Sequence, residues 1–192
     1  KQFNDPSDLD HYPRTLDQDL DLLDRLGAHL VFVPSVKEMY PSKDERTFNL
    51  GGLDQVMEGK HRKGHFNGVA QIVSKLFYLV QPQRAYFGQK DFQQLVIIRK
   101  LVEILDLDIE IVACPIVREH DGLAMSSRNI RLSKEEIRSL NDGMSGLPGI
   151  TDDQQEGVLQ EFYDLCQKGD PLLLESGGEY MRSLATRSMG AE

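Results

Sequence analysis

Residues 84–95 (RAYFGQKDFQQL) combine side chains suited to binding a phosphorylated ligand. Their pattern predicts a short buried strand, a glycine turn and a helix start, the kind of junction where open α/β sheets bind ligands. Gly88 lets the backbone bend and approach a ligand, and the helix beginning near Asp91 offers unpaired N–H groups. Lys90 adds a positive charge, and Gln94 can hydrogen-bond a substrate hydroxyl or carboxylate. A lone Gly-x-Lys is more often a tight turn with a solvated lysine, so this interpretation needs a second element.

That second element is the polar stretch 121–129 (DGLAMSSRN), which follows an apolar predicted strand and precedes a helix start. The hydroxyls of Ser126 and Ser127 and the guanidinium of Arg128 can close over phosphate oxygens, the arginine bidentately. The alternative is an ordinary polar surface loop. Because both stretches follow strands predicted to be parallel, their loops should open on the same edge of the sheet.

Four motifs follow one another along the chain: DHYPRT at 10–15, GHFNGV at 64–69, GQKDFQQL at 88–95 and MSSRN at 125–129. In this order and spacing they make the chain resemble the pantoate–β-alanine ligase (pantothenate synthetase) family. The resemblance runs from Lys1 to about Arg138.

The resemblance implies an ATP- and Mg²⁺-dependent condensation of pantoate with β-alanine through a pantoyl-adenylate, releasing AMP and pyrophosphate. It implies transition-state charge stabilisation, the catalytic role, for Lys90, Ser126, Ser127 and Arg128. The ATP pocket would comprise those four residues with Gly88, Gln89, Asp91, Val117 and Met125. The substrate contacts would come from Gln2, Tyr12, Arg62 and Gln94, and no residue is predicted to bind a metal directly.

Two parts of the family pattern are not matched. The N-terminal strand with its histidine-bearing nucleotide motif precedes the position of Gln2. We therefore expect an N-terminally incomplete domain that folds only partly well and catalyses poorly, if at all, beside a full-length parent. Beyond about Arg138 no resemblance is found. Two other classes therefore stay open: a related nucleotidyltransferase, and a non-catalytic remnant or dimerisation scaffold.

Composition narrows the possible partners and location. The 192 residues carry a net charge of −9 with a pI near 5.1, which argues against a general nucleic-acid surface. No apolar run approaches the ~20 residues of a membrane span. The two cysteines, Cys114 and Cys166, fit a reducing compartment, so we expect a cytoplasmic protein. The resemblance implies a homodimer.

Hydrophobic periodicity predicts an α/β fold with a doubly wound parallel sheet, Rossmann-like and of the nucleotidyltransferase type. The predicted order is a helix from Thr15 to Gly27 packed on the sheet, a buried strand at 30–33, a helix at 66–80, a strand at 85–87, a helix at 91–105 and a strand at 109–117. Thr15 with Gln18 predicts a capping box. We expect a domain at 1–140 and, at 141–192, a linker and small C-terminal segment of unclear fold.

Overall fold

The computed structural model describes Tyr12, residues 14–135 and residue 137. The chain divides into two compact units, one of residues Phe3–Arg46 and one that contains everything from Thr47 onward. We call these the first unit and the second unit. The boundary predicted near residue 140 lies outside the described residues and stays a prediction.

Among its described residues, the first unit contains the helices α1 (Leu16–Arg25) and α2 (Val36–Met39). The capping box predicted for α1 is wrong. Thr15 occupies the N-cap position, but its backbone (φ −121°, ψ 37°) is not extended and its side chain makes no cap bond. Its hydroxyl instead donates to the Asp19 carboxylate at 3.2 Å. None of the residues of α1 is buried. The packing of this helix on the sheet stays a prediction.

The buried strand predicted at residues 30–33 is also wrong. The segment forms no strand, and its apolar side chains are exposed, from 40% for Val31 to 83% for Leu30. A parallel strand needs neighbours that accept and donate its backbone hydrogen bonds and cover both of its faces. No described strand pairs with this segment. Apolar composition alone therefore does not specify a strand.

The second unit carries the remaining elements. They are α3 (Met57–His61), α4 (His65–Val80), β1 (Arg84–Gly88), a 3₁₀ turn (Gln89–Asp91), α5 (Phe92–Ile104), β2 (Glu110–Cys114) and a 3₁₀ turn (Asn129–Arg131). The predicted helix at 66–80, strand at 85–87 and helix at 91–105 are confirmed to within a residue or two. The strand predicted at 109–117 is confirmed but ends at Cys114, because Pro115 lacks the N–H that a sheet ladder needs.

Helix α5 is the centre of the hydrophobic core. Leu95, Ile97 and Leu101 are fully buried, as is most of the helix surface that faces α4 and the sheet. Phe77 of α4 meets Phe87 of β1 edge-on, with ring centroids 6.4 Å apart. The core also includes side chains from residues 47–56, the irregular segment before α3. These side chains are Leu50, Leu53 and Val56. This irregular segment is consequently a packed part of the fold.

The two strands are parallel and in register from Arg84 opposite Glu110 to Gly88 opposite Cys114. Helix α5 provides the crossover between them, as parallel strands require. The arrangement agrees with the predicted α/β class. Within the described residues, no helix has the combination of length and apolar character that crossing a membrane would need.

The hydrogen bonds at the start of α2 make the stability of the folded state depend on pH. A capping box that sequence reasoning missed joins Ser35 and Glu38: Glu38 N–H donates to Ser35 Oγ at 3.2 Å, and Ser35 N–H donates to Glu38 Oε2 at 2.7 Å. Hydrogen bonding from Ser35, through its side chain and then its backbone, lowers the pKa of Glu38. A lowered carboxyl pKa stabilises the folded state above the unfolded-state pKa, and this stabilisation is lost as the pH falls.

We expect Ser35→Ala to raise the pKa of Glu38 back toward its ordinary value, because the larger of the two contributions is removed. An NMR titration of the Glu38 side-chain carboxyl measures this. An unchanged titration midpoint in the variant would contradict the assigned cause.

Candidate functional site

The first candidate loop leaves β1 at Gly88. The sequence predicted a glycine turn there, but Gly88 has an extended backbone with φ −73° and ψ 134°, and the chain turns in the following 3₁₀ segment Gln89–Asp91. The glycine is therefore not required for a special backbone angle. A Cβ at Gly88 would meet no atom within 4 Å, so the position borders open space. What the missing side chain provides is room for a ligand to approach the backbone.

Lys90 and Asp91 lie at the mouth of this loop. Lys90 Nζ is 3.4 Å from Asp91 Oδ1, and both side chains are more than a third exposed. An exposed ion pair of this kind contributes little to stability, so Lys90 can exchange Asp91 for a phosphate at small cost. Asp91 precedes α5 without capping it through its side chain. The loop thus places a mobile cation beside the start of α5.

The two glutamines predicted for the site differ in exposure. Gln94 is half-buried on the first turn of α5, whereas Gln89 is only 7% exposed. Gln89 Oε1 is buried and accepts no hydrogen bond from the described residues. Gln89 therefore turns its amide inward, while Gln94 keeps part of its side chain accessible.

The second candidate loop begins with a small hairpin after β2. Met125 N–H donates to the Val117 carbonyl at 2.9 Å, and Glu119 N–H donates to the Leu123 carbonyl at 2.7 Å. Gly122, at φ +91°, closes the turn. The hairpin sets Val117 and Met125 side by side, and both stay more than half exposed. An exposed apolar pair of this kind can pack against a flat ring such as a nucleobase.

The hairpin leads into a turn that displays the predicted phosphate ligands. Ser126 ends one side of the turn: its carbonyl accepts from Asn129 N–H at 3.0 Å, and its hydroxyl accepts from Arg128 N–H at 3.3 Å. The Asn129 side chain donates to the Ala124 carbonyl at 3.0 Å and fixes the turn on the hairpin. Ser127 and Arg128 lie on its exposed side.

The sheet register brings the two loops to one edge. Because Gly88 pairs with Cys114, the loop that carries Lys90 and the segment that leads to Arg128 leave the sheet at the same, carboxyl, end. The prediction that both loops open on one edge is confirmed. Within the described residues, no group of three or more His, Cys, Asp or Glu side chains could hold a metal ion.

The predicted substrate residues are not all placed with these loops. Arg62 follows α3 in the second unit and pairs with Glu58 at 2.6 Å, its side chain 29% exposed. Tyr12 is an exposed residue of the first unit, and Gln2 lies outside the described residues. Their roles stay predictions.

Sequence reasoning missed two residues that organise the site. Asn129 entered the sequence analysis only as part of the motif at 125–129, although its side chain holds the turn on the hairpin. Gln93 was passed over as a neighbour of Gln94, although it is 5% exposed. A signal was available for Gln93, since it precedes the buried Ile97 and Leu101 at four-residue spacing and so occupies the core face of α5.

Fold and site together define an α/β protein of the nucleotidyltransferase-like class, with two polar loops at the carboxyl edge of a parallel sheet. The family model for pantoate-beta-alanine ligase matches residues 1–159. The chain belongs to this family. A second family model, that of the FliG N-terminal domain, matches residues 128–192 and overlaps the first.

Similar proteins agree with the family assignment. The chain is 62% identical to the pantothenate synthetase of Porphyromonas gingivalis over 135 residues, which are 70% of this chain and 48% of that protein. It thus spans about half the length of that relative. The pantoate–β-alanine ligase structure from Thermus thermophilus superposes with a TM-score of 0.69 at 38% identity, covering 97% of this chain and 63% of that one. The Francisella tularensis enzyme, complexed with β,γ-ATP and β-alanine, gives 0.67 at 32% identity, covering 83% and 63%.

The backbone angles of Gly88 and Gly122 differ, so we expect substitution by alanine to change the stability of the protein differently at the two positions. We expect Gly88→Ala to change the free energy of unfolding by less than about 0.5 kcal/mol, because its φ is ordinary and the added methyl has room. Gly122→Ala should cost about 1–2 kcal/mol, because φ +91° is strained for alanine although space is available.

Urea denaturation of the two variants beside the unsubstituted protein measures the difference. Equal losses in both would show that Gly88 has a structural requirement that its backbone does not reveal.

Proposed function

We propose that the protein condenses pantoate with β-alanine, using ATP and passing through a pantoyl-adenylate. The observation that carries this proposal is the convergence of the Lys90 loop and the Ser126–Arg128 turn on one sheet edge, in a chain of the pantoate-beta-alanine ligase family. The chain spans about half of its matched relatives, so the activity of the whole protein is part of the proposal.

The chemistry explains why positive charge is needed at this edge. A carboxylate is a poor acyl donor because its oxygen is a poor leaving group. In the first step a pantoate carboxylate oxygen attacks the α-phosphorus of ATP, and the bond from that phosphorus to the bridging oxygen breaks to release pyrophosphate. Negative charge accumulates on the phosphate oxygens in the transition state, so fixed cations and hydrogen-bond donors lower the barrier.

Lys90 and Arg128 supply this charge from the two loops. Lys90 is in an exposed ion pair with Asp91 and can move to the phosphates, while Arg128 stands on a turn fixed by Asn129. The hydroxyls of Ser126 and Ser127 add hydrogen-bond donors to phosphate oxygens. These four residues constitute the proposed catalytic group.

The same edge offers surfaces for the rest of the nucleotide. Val117 and Met125 form an exposed apolar pair that can cover the adenine. Gly88 leaves the backbone open to close approach, and Asp91 can accept hydrogen bonds from the ribose hydroxyls once Lys90 turns to phosphate. Gln89 lines the floor of the loop.

We assign pantoate and β-alanine to Gln2, Tyr12, Arg62 and Gln94. Gln94 supports this best, because its half-buried amide stands one turn beyond Lys90 and can bond a pantoate hydroxyl or carboxylate. In the second step the amine of β-alanine attacks the acyl carbon, AMP leaves with the acyl C–O bond electrons, and the amine loses a proton.

Mg²⁺ would enter with the nucleotide. This ion keeps several waters and is usually held by substrate phosphates and at most one or two carboxylates, so it does not need a protein cage. It would neutralise part of the triphosphate charge. Asp91 is a carboxylate of the Lys90 loop that could take part through a water.

Cytoplasmic location and a homodimer complete the proposal. The small number of cysteines supports the first, since a reducing compartment leaves thiols such as Cys114 free. The family assignment supports the proposed homodimer. Analytical ultracentrifugation of the protein distinguishes a dimer from a monomer.

Product analysis tests the proposed reaction. We expect a full-length parent of this chain, given ATP, Mg²⁺, pantoate and β-alanine, to form AMP and an amide in equal amounts. AMP without any amide, regardless of β-alanine, would refute the ligase assignment. Transfer of the nucleotide to a product without free AMP would indicate a nucleotidyltransferase, and ATP binding without turnover would indicate a non-catalytic remnant.

A single substitution tests the role of the first loop. In the full-length parent, we expect Lys90→Ala to slow adenylate formation by ~100-fold or more, the loss typical of one major electrostatic contact to a transition state. The urea midpoint should stay nearly unchanged, because Lys90 is exposed and weakly paired.

Lys43→Ala is the matched control, since it removes the same charge from a side chain that is 76% exposed and also paired with a carboxylate. Single-turnover measurement of pantoyl-adenylate compares the two. Equal rates of adenylate formation in both variants would show that Lys90 is a solvated surface lysine with no catalytic role.

A further inference from the structure

Gln93 is a buried polar residue on the core face of α5, and all three of its side-chain hydrogen bonds reach across the fold. Its Nε2 donates to the Leu53 carbonyl at 2.7 Å and to the Val56 carbonyl at 2.9 Å. Its Oε1 accepts from Glu58 N–H at 3.1 Å. The partners lie 35 to 40 residues away in sequence. One side chain therefore joins α5 to the irregular segment before α3.

The segment before α3 depends on these bonds because it buries its side chains without regular structure of its own. Leu53 and Val56 are 0% and 3% exposed. Burying the carbonyls that accept from Gln93 without a donor would be costly, so the glutamine makes this packing possible. The segment is also tightly folded, since a Cβ on Gly59 would collide with the Asp54 carbonyl.

The third bond acts as a helix cap supplied from a distance. Helix α3 has Val56 at its N-cap position, and valine has no side-chain oxygen to accept a first-turn N–H. Gln93 accepts the N–H of Glu58, the second residue of the helix. The start of α3 is consequently fixed to α5.

The other end of α3 leads to Arg62, whose guanidinium pairs with Glu58 at 2.6 Å. Gln93 lies on the first turn of α5, directly before Gln94 and shortly after the loop that carries Lys90. The amide of Gln93 thus lies at the junction between the segment that carries Arg62 and the helix that carries the proposed phosphate and pantoate ligands.

We propose that Gln93 is a positioning residue. It holds α3 and its Arg62 in place relative to the start of α5, so that side chains from both segments bind the anionic substrate. Gln93 makes no contact with substrate in this role. The part of this inference that concerns substrate binding rests on the proposed function, whereas the cap at Glu58 is a property of the fold.

The test compares Gln93→Met, which removes all three bonds at similar side-chain size, with Leu101→Ala as the control. Leu101 is 0% exposed on the same helix and its side chain has no hydrogen-bonding group, so its truncation destabilises the core without removing any of the three Gln93 bonds. Gln93→Glu is a second variant: it keeps the acceptor for Glu58 N–H and loses the two donated bonds, so it remains informative if Gln93→Met fails to fold.

The first readout is amide hydrogen exchange at Glu58, followed by NMR in the whole chain. We expect exchange at Glu58 to accelerate by about ten-fold or more in Gln93→Met relative to Leu101→Ala, after both are normalised to their global stability, because the start of α3 then opens locally. Gln93→Glu should retain more of the protection than Gln93→Met. Unchanged protection in both Gln93 variants would overturn the cap.

The second readout is the affinity for pantoate, by titration. We expect Gln93→Met and Gln93→Glu to weaken pantoate binding by about ten-fold, the scale of one lost hydrogen bond to a charged group, while Leu101→Ala leaves it unchanged. Arg62→Ala should weaken binding too, and combining it with Gln93→Met should add little, because both act through the same guanidinium.

The outcomes separate the two claims. Equal affinity losses in Gln93→Met and Leu101→Ala, or full additivity with Arg62→Ala, would show that Gln93 is only structural. Absence of pantoate binding in the unsubstituted protein would overturn the proposed function and the substrate half of this inference, whereas exchange at Glu58 would still decide the cap.

Discussion

The parallel pairing of β1 with β2 is the constraint on which the candidate site depends. Parallel strands need a crossover between them, and here the crossover is α5, whose side chains fill the core. The register that sets Gly88 opposite Cys114 makes both following loops leave the sheet at the same edge. A slip of one residue would turn the inward side chains of β1 outward, so the burial that stabilises the core also fixes where the loops begin.

Two polar side chains, Asn129 and Gln93, fix segments around the candidate site. Asn129 ties the serine-arginine turn to its hairpin, and Gln93 joins the segment before α3 to α5. Each replaces a missing backbone partner in a stretch without regular structure. This division leaves Lys90, Ser127 and Arg128 exposed, so that they can respond to a charged ligand.

Local sequence pattern predicted the elements of the second unit well. Helix α4, β1, α5 and β2 follow periodic apolar runs bounded by proline or a change of pattern, and these signals need no knowledge of the tertiary fold. The pattern failed where pairing decides the outcome: residues 30–33 have strand composition but no described strand beside them. It failed at Thr15 too, because a cap depends on backbone angles that the residue type does not fix.

Sequence pattern selected the candidate ligands, whose roles stay predictions, but it did not select the residues that support them. Charged and hydroxyl side chains after strands indicate a phosphate site, and the shared sheet edge follows from the fold class. The role of Gln93 depends on partners 35 or more residues away, which no local window contains. The extended backbone of Gly88 was equally hidden, since glycine is compatible with both a turn and a strand end.

An NMR titration of the protein with Mg²⁺-ATP tests whether the two loops form one ATP site. We expect backbone amides at 88–91 and at 126–128 to shift together, with both sets of shifts giving a single dissociation constant. Shifts confined to one loop, or two distinct dissociation constants, would contradict it.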